Sequence, residues 1–160
     1  MSGFHWALLG AALAALGGGI GSSIGITYVS KIASGILTED PDKFGPLLPL
    51  VAIPGTQGFY GLITAILVVF FFGLITGKGP DLTAAQGVQI FLACLPVVFG
   101  TLISAVYQGL TAVGAAGMVA KRSEEAGKAL ILPALVETYA LLSLVVTIIL
   151  LVSIQRAMGL

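Results

Sequence analysis

Charge is scarce in this sequence. Only 9% of its 160 residues are Asp, Glu, Lys or Arg, against about 25% in a soluble domain. A chain so poor in charge cannot cover a surface facing water. Its seven basic and seven acidic residues cancel, and no basic run exists to neutralise phosphates, which excludes nucleic acid as a partner. There is one cysteine, Cys94. A lone cysteine builds no disulfide framework, and no metal-ligand spacing accompanies it. Set in an apolar stretch, Cys94 reads as inert packing. A glycine loop of the Walker type is missing, as is a nucleophile with its base. The chain is therefore not expected to be an enzyme by itself. What is abundant is apolar: 58% of residues are hydrophobic and the mean hydropathy is +1.10. Lipid is the expected solvent.

Four long apolar segments follow, over about residues 6–29, 47–75, 88–118 and 129–154. Each exceeds the roughly 20 residues needed to cross a bilayer core. Each must be helical, because lipid offers backbone groups no partner. The second and third are long enough to imply tilt or projection beyond the hydrocarbon. No Lys or Arg precedes the first segment, as a signal peptide would require, so the segment is expected to be retained. Two charged connections, "KIASGILTEDPDKF" and "AKRSEEAGK", hold Lys31, Lys43, Lys121, Arg122 and Lys128. The opposite side has only Lys78 and Arg156. Basic residues favour the cytoplasm, which predicts cytoplasmic loops and outside termini for a multi-pass protein of the cell membrane.

The pattern is a doubled hairpin within one membrane domain: residues 1–80 form the first and 81–160 the second. Pro54 precedes Gln57 by three, and Pro133 precedes Glu137 by four. Pairing Gln57 with Glu137 gives an offset of 80, with glutamine in the first half where the second has a carboxylate. Gly17, Gly21 and Gly25 recur at intervals of four in the first segment, as do Gly100, Ser104, Gln108, Ala112 and Ala116 in the third. Such rows let helix backbones approach closely. They fit either pairing within the chain or the crowded inner circle of a ring of helices.

Glu137 stands alone in "LILPALVETYALLSLVVTIILLV". An acid at the bilayer centre costs about 3 kcal/mol on insertion scales, and intramembrane acids are usually functional. No Lys or Arg lies at its depth, so it must be protonated or hold a cation. A protonated acid bonding a neighbouring helix is the structural alternative. The polar residues available at similar depth are Thr56, Gln57 and Tyr60 in "PGTQGFYG", Gln108, and Thr138 and Tyr139 beside Glu137. Thr56, Gln57 and Tyr60 share a helix face by spacing. Pro54 disturbs its turn and leaves a carbonyl oxygen available. Two amides, hydroxyls, a carbonyl and one carboxylate suit a single monovalent hard cation, since a divalent ion normally recruits more carboxylates. A proton would leave two buried glutamines surplus. The cluster favours sodium, although glutamines can also serve only to glue membrane helices.

At these residues the chain resembles a known family. "PGTQGFYG" at 54–61, "YQG" at 107–109 and "LVETYA" at 135–140 are similar to the K subunit of V-type ATPases. This is the c-type proteolipid of the membrane rotor ring, in its bacterial and archaeal sodium-translocating branch. The resemblance covers nearly the whole chain. It implies an all-α fold of four transmembrane helices in a homo-oligomeric ring, with a stator a-type subunit, central-stalk subunits and lipid as partners. It implies one sodium ion per chain, balanced by Glu137 and held by Thr56, Gln57, Gln108 and the carbonyl of Ile53, with Tyr60 closing the site on the glutamate. It further implies ion translocation as the ring turns. Alternatives are the same ring carrying protons, or a four-helix multidrug/proton antiporter, which would place its glutamate in an early helix among aromatics. A pore would need polar stripes along whole helices.

Overall fold

The computed structural model describes residues 2–75 and 81–160; Lys78, one of the two basic residues on the side opposite the charged connections, lies outside them. The four apolar segments are helical. Helix α1 spans Gly3–Glu39, α2 Phe44–Ala52, α3 Thr56–Phe71, α4 Ala84–Lys121 and α5 Ala126–Ala157. Among the described residues there are four spans long and apolar enough to cross a membrane, with α2 and α3 together forming the second.

The helices are longer than their apolar cores. α1 has 37 residues and α4 has 38, which at 1.5 Å per residue is about 55 Å each. The first charged connection is therefore mostly helix, not the 14-residue loop that its charge suggested. Nothing in "KIASGILTE" breaks a helix, and Ser34 and Thr38 return their hydroxyls to the carbonyls four residues back. The break comes at Asp40, in extended geometry (φ −144°, ψ 90°). Pro41 follows, and the residue before a proline is disfavoured in the α region.

A short 3-10 turn follows each charged turn, over Pro41–Lys43 and Ser123–Glu125. Asp40 and Arg122 before them share nearly the same backbone angles, and their N–H groups bond Ile36 and Met118. The register of the two halves at this end is thus 82. The offset of 80 does not hold here, and at 82 the residue opposite Glu137 is Gly55. The second segment contains the extra 3-10 turn Ile53–Gly55, whereas α5 runs unbroken through Pro133.

The hairpins are interleaved, because α1 packs more extensively on α4 than on any other helix. A methyl group on Gly17 or Gly21 would lie 2.7 Å from the carbonyl oxygens of Val98 and Leu102, and one on Gly25 2.3 Å from that of Ala105. The glycine row of α1 therefore serves pairing within the chain. The row in α4 also meets a helix of the same chain, but a different one: Gly100 abuts Ser143 of α5, and Ser104 and Gln108 reach α5 as well. The face beneath α1 is instead the one carrying Ala105 and Gly109. Apolar clusters fill both ends of the bundle, one around Phe72, Ile90 and Leu151, the other around Leu47, Leu50 and Val119. A smaller cluster around Ala14, Val97 and Val98 lies between them.

At the charged end Lys43 ties the hairpins together. Its ammonium donates to the Ala120 carbonyl at the end of α4 and pairs with Asp40 at 3.2 Å. A cation there answers both an orphan carbonyl and the helix dipole. Lys43→Met keeps the stem but loses the donor, and is expected to cost about 1.5 kcal/mol. Lys128, whose side chain is 76% exposed against Glu125, is the comparison; Lys128→Met is expected to cost less than about 1 kcal/mol. Thermal unfolding in detergent checks both.

Candidate ion-binding site

The site begins at the break made by Pro54. Having no N–H, Pro54 cannot continue the α ladder, and the chain tightens to a 3-10 turn before α3 starts at Thr56. The Ile53 carbonyl then accepts the Thr56 backbone N–H, and the Thr56 hydroxyl at 2.9 Å. The same hydroxyl oxygen lies 3.2 Å from Gln57 Oε1. Threonine has a single hydroxyl proton. The three oxygens Ile53 O, Thr56 Oγ1 and Gln57 Oε1 therefore meet with one side-chain proton among them.

Gln57 and Gln108 are both fully buried. Gln57 Nε2 donates to Gln108 Oε1 at 2.5 Å and to Ser104 Oγ at 3.4 Å. Gln108 Nε2 donates across to α5, to the Pro133 carbonyl at 3.0 Å and to Glu137 Oε2 at 3.5 Å. The other carboxylate oxygen, Oε1, accepts the Tyr60 hydroxyl at 2.5 Å. All six residues singled out from the sequence, Ile53, Thr56, Gln57, Tyr60, Gln108 and Glu137, thus belong to one connected network over three spans. Thr138 does not join it: that residue is exposed and its hydroxyl turns back to Leu135 O. Tyr139, 69% exposed, also points away.

Close helix contacts hold this network in register. Gly18 lies against the backbone of Gln57, where a methyl would sit 2.3 Å from the carbonyl oxygen. A methyl on Gly61 would lie 2.2 Å from Ala14 O. Ser22 accepts the Gly58 N–H at 2.9 Å, one residue beyond Gln57. These contacts were not read from the sequence, nor was Ser104. Its signal is a hydroxyl one helical turn before Gln108, which in the sequence reads only as one more small residue of the row.

Among the described residues the two ion pairs, Lys43–Asp40 and Lys128–Glu125, lie in the connections. Neither pair involves Glu137, which has no basic side chain beside it among the described residues. No group of three or more His, Cys, Asp or Glu occurs among the described residues, so the network offers an ion one formal charge and several neutral oxygens. That donor set fits a monovalent hard cation better than a divalent one.

Comparison with known proteins gives a consistent result. The family of the ATP synthase C subunit matches twice, over residues 9–68 and 91–150. These stretches start and end 82 residues apart, the register seen at the charged turns. The chain is 38% identical over 148 residues to the V-type sodium ATPase subunit K of Enterococcus hirae, covering 92% of this chain and 91% of that one. It is 37% identical over 148 residues to the A-type ATP synthase subunit K of Methanocaldococcus jannaschii, covering 92% of this chain and 62% of that one. This multi-pass membrane protein belongs to the ATP synthase C-subunit family, as a K subunit.

Proposed function

We propose that the chain is the ion-carrying unit of a homo-oligomeric rotor ring in a rotary ATPase, and that it carries one sodium ion per copy. The observation behind this reading is the meeting of Ile53 O, Thr56 Oγ1 and Gln57 Oε1 with one side-chain proton to share, linked through Gln108 to a lone carboxylate. Electron-rich oxygens gathered in this way attract a small cation, and Glu137 balances its charge. The first relative's name, a sodium ATPase subunit, supports the choice of ion. Tyr60 donates to Glu137 and holds the carboxylate inward. The antiporter reading loses support, because the groups around the acid are oxygen donors and amides.

The physics of rotation follows from charge. A loaded site is neutral and crosses lipid cheaply. An unloaded Glu137 carries a bare charge whose return to lipid costs several kcal/mol. Turning is thereby tied to ion exchange at a stator subunit, where a positive group draws the carboxylate away and releases the ion. ATP chemistry belongs to other subunits reached through the central stalk. The two hairpins, divided near residue 80, act as one membrane domain. The end bearing Lys31, Lys43, Lys121, Arg122 and Lys128 faces the cytoplasm, by the bias of basic residues.

Carbodiimide labelling tests the ion. The reagent is expected to modify Glu137, and saturating sodium near neutral pH is expected to slow it at least tenfold, with choline chloride at equal ionic strength as the control. Labelling indifferent to sodium would assign the ring to protons.

A further inference from the structure

Most hydroxyls in these helices bond locally. Ser34, Thr38, Thr101, Thr111 and Ser153 each donate to the carbonyl four residues back, the usual behaviour of Ser and Thr within a helix. Ser104 departs from this habit. Only 4% exposed, it donates its proton across to the Val136 carbonyl of α5 at 3.0 Å. Val136 immediately precedes Glu137. With that proton committed, Ser104 presents only lone pairs to Gln57 Nε2, 3.4 Å away.

The consequence is directional. An amide side chain has an accepting end and a donating end of nearly the same shape, and only the accepting end binds a cation. On α5, the Pro133 carbonyl can only accept, as can the Glu137 carboxylate when ionised. They therefore take the NH2 end of Gln108, which turns Gln108 Oε1 toward Gln57. Gln57 then faces two acceptors, Gln108 Oε1 and Ser104 Oγ, so its NH2 end turns to them. Its own Oε1 is left pointing at Thr56 and the ion-binding oxygens. A flipped Gln57 would set oxygen against oxygen at both contacts and aim a donor at the ion.

We infer that Ser104, which is outside the proposed ligand set, is a positioning residue that fixes which end of the Gln57 amide faces the ion. The inference rests on the proposed function and goes beyond it. Without the serine oxygen, one of the two contacts that hold the amide in this sense is gone. Gln57 then samples the reversed orientation, and the site loses sodium affinity without losing its carboxylate.

The test uses the assembled complex in membranes and reads carbodiimide labelling of Glu137. In Ser104→Ala, the sodium concentration giving half-protection is expected to rise about fivefold, the factor of one ordinary hydrogen bond. The labelling rate without sodium is expected to move less than twofold. A double-mutant cycle separates positioning from general loosening. Gln57→Ala removes the amide that Ser104 orients, so adding Ser104→Ala to it should raise half-protection by less than twofold more. Half-protection in Ser104→Ala within twofold of wild type, or a full fivefold added loss in the Gln57→Ala background, would overturn the inference. Should Ser104→Ala fail to assemble, Ser104→Cys, close in size and a poor acceptor, carries the same cycle. Failure of sodium to protect the wild type would instead remove the proposed function.

Discussion

Glu137→Gln is expected to abolish sodium-dependent ATP hydrolysis and sodium uptake by the assembled complex, while the chain still inserts and folds. The amide is close to the carboxylate in size and can still accept from Tyr60. It cannot balance a cation. A sodium ion in the substituted site would carry its full charge into lipid, at a cost of at least about 3 kcal/mol. That is roughly a hundredfold or more in the population of loaded sites able to turn. Carbodiimide labelling should vanish as well, since the carboxyl is gone. Glu137→Asp keeps the charge but withdraws it by one methylene, so it is expected to turn over at higher sodium concentration. Complexes carrying Glu137→Gln that still took up sodium at more than a few per cent of the normal rate would remove Glu137 from the centre of the proposal.

Much of this arrangement was legible in the sequence, for physical reasons that differ between parts. The four spans were plain because lipid leaves a chain few options once runs exceed about 20 apolar residues. Glu137 was plain because an acid there has no cheap bystander role. Thr56, Gln57 and Tyr60 were legible as a group because helical spacing sets them side by side. The end of α1 at Glu39 was less obvious: charge marked a connection from Lys31 onward, yet charged residues are compatible with helix, and only the Asp40–Pro41 pair stops it. The register of the halves is not uniform to the eye: pairing Gln57 with Glu137 gives 80, whereas the charged turns stand 82 apart, and the backbone around the two prolines differs. Pro54 sits in a 3-10 turn, while Pro133 lies inside a continuous helix. Direction was harder still. A row of small residues at intervals of four gives no neighbour, so the pairing of Gly17, Gly21 and Gly25 with α4 came only from the fold. Ser104 shows the same limit, because serine spacing does not reveal whether a hydroxyl bonds its own helix or the next.

Gly109→Val is expected to destroy the bundle and not merely weaken the site. A methyl group at Gly109 would lie 2.4 Å from Gly25 Cα and 2.3 Å from Gly25 O. Both atoms belong to backbone, so no rotamer change relieves the clash. The same stretch of α1 is also confined by the second span, since a methyl on Gly25 would lie 2.9 Å from Pro54 Cβ. Moving α1 away from α4 therefore pushes it toward the 3-10 turn that presents the Ile53 carbonyl. Overpacking into a well-filled core costs typically 1–3 kcal/mol, and a clash between two backbones belongs at or above the top of that range. Valine adds a branched side chain where even a methyl does not fit. Because Gln108 is the preceding residue, any chain that did assemble would hold its amide out of line with Gln57 and Glu137. The expected outcome is little or no chain accumulating in washed membranes, read by immunoblot. Gly127→Ala is the matched control, for that glycine has nothing within 4 Å of an added methyl. It is expected to leave accumulation unchanged and to stabilise by up to about 1 kcal/mol through helix propensity. If Gly109→Val accumulated normally and kept wild-type sodium protection at Glu137, the contact of α1 with α4 could not be what holds the site together.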